Sequence, residues 1–199
     1  MGNRRIGRKR LHSLNKLGQT SDNTSGPGII NAVVSNTVRR EGHKIVTEIV
    51  VDLGTSKATI ASKNDDGDVI GVSGGGAAYL TQLTPAVNGY ITYAEMVCLE
   101  LPETGADDID LGTADEGTIA YDGDLTAGTN HQMLITAGGA WALGEVDHYA
   151  VTHGTAHNIG ATLADQYLYL CSGEAGTAGN YSAGKLCITL EGWAVPDDK

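Results

Sequence analysis

The strongest constraint on the fold is an alternating pattern close to the end of the sequence, between Lys185 and Glu191. Apolar side chains occupy every second position, and polar or small side chains stand between them: Leu186, Ile188 and Leu190 on one side, and Lys185, Cys187, Thr189 and Glu191 on the other. A period of two is typical of a β-strand with one buried face. The sequence therefore predicts a half-buried strand here.

A second apolar run, Gln166–Cys171, lies shortly before the first, and the Gly-rich link Ser172–Gly184 joins the two. This run is short, aromatic and bounded by a glycine-rich stretch, which also indicates a strand. The link is long for a tight hairpin, so we predict a wide loop or a connection between two sheets.

Composition supports an all-β fold. Glycine accounts for 28 of the 199 residues, about twice the usual ~7% share, which suits a chain with many turns. We predict an all-β protein with a single antiparallel β-sandwich or jelly-roll-like domain, residues 29–199. An extended basic N-terminal arm, residues 1–28, precedes it.

Charge divides the chain in two. Residues 1–21 carry six basic residues and no acid, whereas residues 22–199 carry seven basic residues and all 24 acids, a net charge of −17. No lysine or arginine occurs between Lys63 and Lys185, a span with 17 acids. This asymmetry indicates an arm that meets an anionic partner and a body that repels polyanions.

Aliphatic side chains punctuate the basic residues of the arm. An amphipathic docking arm, a basic tail or transit-like segment, and a tail that binds packaged nucleic acid are the three interpretations. The arm has no aromatic side chains that could stack on bases, so we do not expect nucleic acid as its partner. We favour docking, with these candidate binding residues: Arg4, Arg5, Ile6, Arg8, Lys9, Arg10, Leu11, Leu14, Lys16 and Leu17.

Other strands are predicted from the same signals. Ile29–Val38 is expected to be an edge strand, followed by a turn over Arg39–Lys44 and a strand over Ile45–Leu53 with its odd positions on one face. Tyr90–Leu101 is the longest β-like run. Its odd positions are mostly apolar, and its even positions include Ala94, Met96 and Cys98, which predicts partial cover on both sides.

Acidic residues cluster in two places. Asp65, Asp66 and Asp68 lie in a predicted hairpin turn and lack the spacing of an EF-hand loop. The segment Glu103–Asp124 holds eight acids and no base, and within it Asp108–Thr113 is predicted to be a short edge strand. We expect a solvated acidic surface there. A Ca²⁺ site and a glycosidase-like carboxylate pair are the alternatives.

Three histidines, His148, His153 and His157, fall within ten residues. Their spacing matches no familiar zinc motif, so we expect ordinary surface histidines, with a transition-metal site or a pH-sensitive patch as alternatives. The three cysteines are expected to be free thiols.

Catalytic and membrane signals are missing from the sequence. There is no nucleophile elbow, phosphate-binding loop or metalloprotease motif, and no run of 18 apolar residues. We therefore predict no enzymatic activity, no cofactor, no metal and no membrane partner.

Four stretches, Gly2–Lys16, Val46–Ser56, Asp108–Gly112 and Ala178–Gly192, resemble virion structural proteins of marine tailed bacteriophages, the cyanophages and their relatives. The resemblance implies a capsid decoration or cement protein on the outer surface of the virion. It further implies a β-rich body, often a homotrimer, whose extended terminus grips the major capsid protein. It offers no catalytic residues.

Two other classes remain open at this point. The chain could be an adsorption module, a head fibre or tail component that binds a host surface glycan with its Tyr and Trp side chains. It could also be an enzyme that acts on envelope polysaccharide through the acidic segment.

Overall fold

The computed structural model describes residues 19–21, 25–29, 33–149, 164–174 and 177–194. Within these ranges the chain forms one four-residue helix, α1 (Pro85–Asn88), a 3₁₀ turn (Leu125–Ala127) and twelve strands. The strands are β1 Gln19–Ser21, β2 Val34–Glu41, β3 Lys44–Asp52, β4 Ala61–Ser62, β5 Thr81–Gln82, β6 Tyr90–Glu103, β7 Ile109–Ala114, β8 Gln132–Ile135, β9 Val146–His148, β10 Tyr167–Ser172, β11 Gly179–Asn180 and β12 Ala183–Trp193.

Two antiparallel sheets pack against each other. The larger has the order β1-β2-β3-β12-β6-β9, the smaller has the order β5-β10-β7-β8, and β4 and β11 form a separate pair. The prediction of an all-β, sandwich-like domain is confirmed.

Strand β12 lies in the interior of the larger sheet, between β3 and β6. Its side chains alternate as predicted: Leu186, Ile188 and Leu190 are fully buried, and the residues between them are half-buried on the outer face. The pairing of Ile188 with Ile49 on one side and Met96 on the other brings three core side chains level with one another.

Strand β10 belongs to the smaller sheet, so the Gly-rich link after it runs from one sheet to the other. The prediction of a connection between sheets is thus confirmed. The last five residues of β10 are all buried. Backbone N–H groups of Ile70 and Leu80 donate to the carbonyls of Leu170 and Leu168 at 2.9 and 2.7 Å. The backbone at Leu80 and at Ile70 therefore extends the pairing along β10 past the end of β5.

Strand β3 matches its prediction, with Ile45, Thr47, Ile49, Val51 and the following Leu53 all buried. The prediction for the preceding strand is wrong in two respects. β2 begins at Val34 rather than Ile29 and continues through Arg40, so the turn contracts to Gly42 and His43. Gly42 has a φ of +68°, which glycine adopts without strain. β2 is also an inner strand, because β1 pairs with its free side.

The longest predicted strand is real, but its buried face differs from the expectation. In β6 the even positions Ala94, Met96 and Cys98 are fully buried, whereas Leu99 and Leu101 are 49% and 44% exposed. Register shifts against β12 explain the difference, since an extra residue reverses the side chains on either side of it.

Strand β7 was predicted to be an edge strand, and this prediction is wrong. β7 is an inner strand, because it pairs with β10 on one side and β8 on the other. All six of its residues are buried. Gly112 allows a close approach here, since a β-carbon at this position would lie 2.6 Å from the Leu125 side chain of the 3₁₀ turn.

The free-thiol prediction is confirmed: Cys98 and Cys171 are buried and Cys187 is half-buried.

The alternation in β12 gives a direct stability test. Ile188→Ala should lower the free energy of unfolding by about 2–5 kcal/mol, because it removes buried methylene groups and leaves a cavity. Thr189→Ala, one residue away on the outer face, should change it by less than about 1 kcal/mol. Urea denaturation of both variants measures the difference. Equal losses would contradict the assignment of the two faces.

Candidate functional site

All ten candidate binding residues of the arm lie outside the described residues. The described part of the arm begins at β1, whose Gln19 pairs with Arg39 at one edge of the larger sheet. Further along, the N–H groups of Gly26 and Gly28 donate to the carbonyls of Tyr79 and Ala77 at 2.8 and 2.6 Å. The arm therefore joins the body along β1 and again at residues 26–28.

The opposite edge of the same sheet carries a group of exposed apolar side chains. Val97 pairs with Val146 of β9, so both face outward from the sheet. The N–H of Gly144 donates to the carbonyl of Cys98 at 2.8 Å, so the backbone at Leu143 and Gly144 adjoins the backbone at Cys98 and Leu99. We call this group the edge patch: Val97, Leu99, Leu101, Leu143 and Val146.

The edge patch is unusually exposed for apolar side chains. Leu143 is 68% exposed and Val146 is 50% exposed, while Leu99 and Leu101 are each nearly half exposed. A group of exposed apolar side chains with a polar rim is typical of an interaction site.

Carboxylates form the rim of the edge patch. Glu145 lies between Leu143 and Val146 in the chain, and its carboxylate accepts from the N–H of Ala142 at 2.6 Å. Glu95 accepts from the Tyr93 hydroxyl at 2.6 Å, which raises the pKa of Tyr93 to about 12. Glu100 has a basic neighbour, Lys185, 4.0 Å away. The rim is therefore predominantly negative.

A second feature is an acidic cavity of about 400 Å³ at one end of β7. The residues that line it are Asp66, Asp108, Asp110, Thr136, Ala137, Gly138, Gly139 and Glu174. Four carboxylates from three separate parts of the chain thus face one space.

Two of these carboxylates correct the sequence analysis, which expected the acidic segment to be solvated. Asp108 and Asp110 are only 2% and 4% exposed, because β7 is an inner strand. One carboxylate oxygen of Asp110 accepts from the N–H of Ala137 at 2.7 Å. Burial raises the pKa of Asp110 to about 7; the Ala137 hydrogen bond opposes this shift and the charge of Asp108 adds to it.

Other acids of the same segment have structural roles. Asp124 caps the 3₁₀ turn by accepting from the N–H of Thr126 at 2.8 Å, and Glu116 accepts from the N–H of Thr129 at 2.9 Å. Hydrogen bonds from the side chains of Thr126 and Thr129, with those from their N–H groups, lower the pKa of both carboxyl groups. In the part of the chain that the structure describes, no three His, Cys, Asp or Glu side chains converge in a way that could hold a metal ion.

Of the three histidines, only His148 falls in the described ranges. It is exposed on β9, and its ring stacks on Tyr93 with centroids 6.4 Å apart and 22° between the planes. His153 and His157 lie outside the described residues, so their predicted surface role stays a prediction.

The sequence signalled the arm but not the edge patch or the cavity. The edge patch depends on register shifts in β6, and the cavity depends on the central position of β7, neither of which a local pattern reveals. Composition gave one usable signal, the absence of any base between Lys63 and Lys185.

No protein-family model matches the chain, and no curated protein matches its sequence. Within the ranges that the structure describes, no helix has the length and apolar character needed to cross a membrane.

The buried carboxyl of Asp110 predicts a pH dependence of stability. Its pKa rises from an ordinary value of 3.8 to about 7 on folding, so the folded chain binds one more proton between these values. Stability should therefore fall as pH rises from about 4 to 7, by up to ~1.4 kcal/mol per pH unit from this group.

Asp110→Asn, which keeps an acceptor for Ala137, should remove that part of the slope and stabilise the protein at pH 8. Urea denaturation at several pH values between 5 and 8 measures this pH dependence of the unfolding free energy. Asp107→Asn, at an exposed position, is the matched control. An unchanged slope in Asp110→Asn would show that this carboxyl does not titrate with a raised pKa.

Proposed function

We propose that this chain is a structural protein of a bacteriophage virion, a decoration protein that binds the outer surface of the capsid and stabilises the shell. Its basic arm contacts the major capsid protein, and its β-sandwich body stays outside the shell. The role is structural rather than enzymatic. The support comes from the resemblance of Gly2–Lys16, Val46–Ser56 and the two later stretches to phage virion proteins.

One observation carries the proposal: the separation of charge between the arm and the body. Five bases lie within Arg4–Arg10, and the first acid of the chain is Asp22. The body is a packed sandwich with a net negative charge. A basic arm of this kind suits an acidic groove between shell subunits, and several arms in one assembly bind more tightly than one through effective concentration.

The composition of the body fits an outer position. Its few bases are largely paired on the surface, as in Lys44 with Glu191 at 2.6 Å and Lys185 with Asp52 at 3.4 Å. The remaining negative charge favours solubility at high local concentration and disfavours contact with packaged nucleic acid.

The test uses empty capsids that lack the protein. Full-length chain with Arg4, Arg5, Arg8 and Lys9 all changed to Gln should bind these shells at least about tenfold more weakly, a loss of ~1.4 kcal/mol or more. Cosedimentation measures binding, and circular dichroism checks that the body remains folded. The matched control changes Arg39 and Arg40, two exposed bases of the body, to Gln. Undiminished binding by the arm variant would refute the proposal.

A second candidate, a glycan-binding adsorption module, draws on a different observation. Trp193 of β12 pairs with Tyr90 of β6, so both rings stand on the outer face of the larger sheet. They are 52% and 38% exposed. Exposed neighbouring aromatic rings provide a surface on which a sugar ring can stack.

This candidate predicts that Trp193→Ala abolishes adsorption of the purified protein to host cells, which a fluorescent label measures. Tyr90→Ala should weaken adsorption, because the neighbouring ring also contributes contact area. The control, Val87→Ala, removes an exposed apolar side chain of α1, outside both the aromatic pair and the edge patch. Equal adsorption by all three variants would exclude the aromatic pair as a glycan site.

A further inference from the structure

We propose that the edge patch of one copy binds residues 10–17 of the arm of a second copy, so that copies join head to tail into a closed ring. The inference concerns contacts between copies and does not require a shell. Where the proposed function also holds, the basic cluster Arg4–Lys9 is left for the shell.

The two surfaces are chemically complementary. Residues 10–17 hold Leu11, Leu14 and Leu17 together with Arg10 and Lys16, and no acid. The edge patch is aliphatic and its rim is predominantly carboxylate, with Lys185 beside Glu100 as a base at the rim. Leucine side chains can cover the exposed apolar area while the two bases approach the rim, and complementary charge fixes the register of such a contact.

The position of β1 argues against binding within one copy. β1 and β6 are four strand spacings apart, about 19 Å. Gln19 lies level with Tyr93 through the pairings of β2, β3 and β12, and Leu99 is six residues further along β6, about 20 Å. The straight-line separation from Gln19 to Leu99 is therefore about 28 Å on these spacings.

The reach of the arm is shorter than this distance for two of the three leucines. Leu17 lies two residues before Gln19 and can extend at most about 7 Å from it, and Leu14 at most about 18 Å. Because β1 is antiparallel to β2, its first residue, Gln19, lies at the end of β1 nearer Gly42 and farther from the Leu99 end of the sheet. The three leucines cannot all meet the edge patch of their own copy.

Opposite edges of one sheet thus provide the two halves of the contact. The arm leaves at the β1 edge and the edge patch lies at the β9 edge, so the contact is heterologous rather than self-complementary. A heterologous contact that closes on itself forms a cyclic oligomer.

The first experiment establishes which copy the arm touches. Full-length chains at natural and ¹⁵N abundance are mixed, allowed to exchange and treated with a zero-length carbodiimide reagent. We expect crosslinks from Lys16 to Glu145 or Glu100 that join the two isotopes. Crosslinks confined to one isotope, or none from Lys16 to these acids, would overturn the proposal.

The second experiment changes each side of the contact separately. Leu14→Asp on the arm and Leu143→Asp on the edge patch should each shift the oligomer to monomer, seen by native mass spectrometry and light scattering at several concentrations. The matched control is Val87→Asp, an exposed apolar residue of α1. Loss of the oligomer in Leu143→Asp alone would mean that bodies pair directly, and a monomeric wild-type chain would mean that no ring forms. Both results would overturn the inference.

Neither experiment contains capsids, so its failure is distinguishable from failure of the proposed function. A chain that binds shells but fails the crosslinking test keeps its shell role without the ring. A chain that forms the ring but ignores shells keeps the ring without the shell role.

Discussion

The whole body depends on the register of β12 between β3 and β6. Leu186, Ile188 and Leu190 project into the core only if the strand pairs as it does, and a slip of one residue would turn all three toward solvent and bring Lys185 and Glu191 inward. Such a slip would disrupt the pairing of β12 with both β3 and β6. β12 therefore fixes the positions of these two neighbours and, through them, of both edges of the sheet. The placement of β1 and β9 at opposite edges follows from this register.

Local patterns predicted the elements that face the core on one side. β12 alternates at every position and β3 alternates except at Val46, which is also buried, so a period of two is enough to find both strands. β6 was found as a strand but with the wrong buried face, because register shifts near Ile91 and Leu99 reverse its side chains without changing its composition. The predicted edge position of β7 is wrong, because β7 pairs on both sides and buries Asp110, although aspartate is normally exposed.

The candidate sites were harder to predict, because each depends on a tertiary arrangement. Burial of Asp110 arises from the strands on both sides of β7, and the residues that share its cavity come from positions as distant as Asp66 and Glu174. The edge patch combines β6 with a loop and a three-residue edge strand. Only the division of charge between the basic arm and the acidic body could be predicted from the sequence, since net charge requires no knowledge of contacts.

That division of charge also determines how the apolar edge can be used. An exposed sheet edge invites pairing with any other edge, and proteins restrain this with short edge strands and charges. β9 is short, and Glu95, Glu145 and Asp147 give its surroundings negative charge that repels an identical edge on another body. The same carboxylates attract a basic segment. An acidic rim around aliphatic side chains therefore discriminates between two parts of the same chain: it disfavours body against body and favours body against arm.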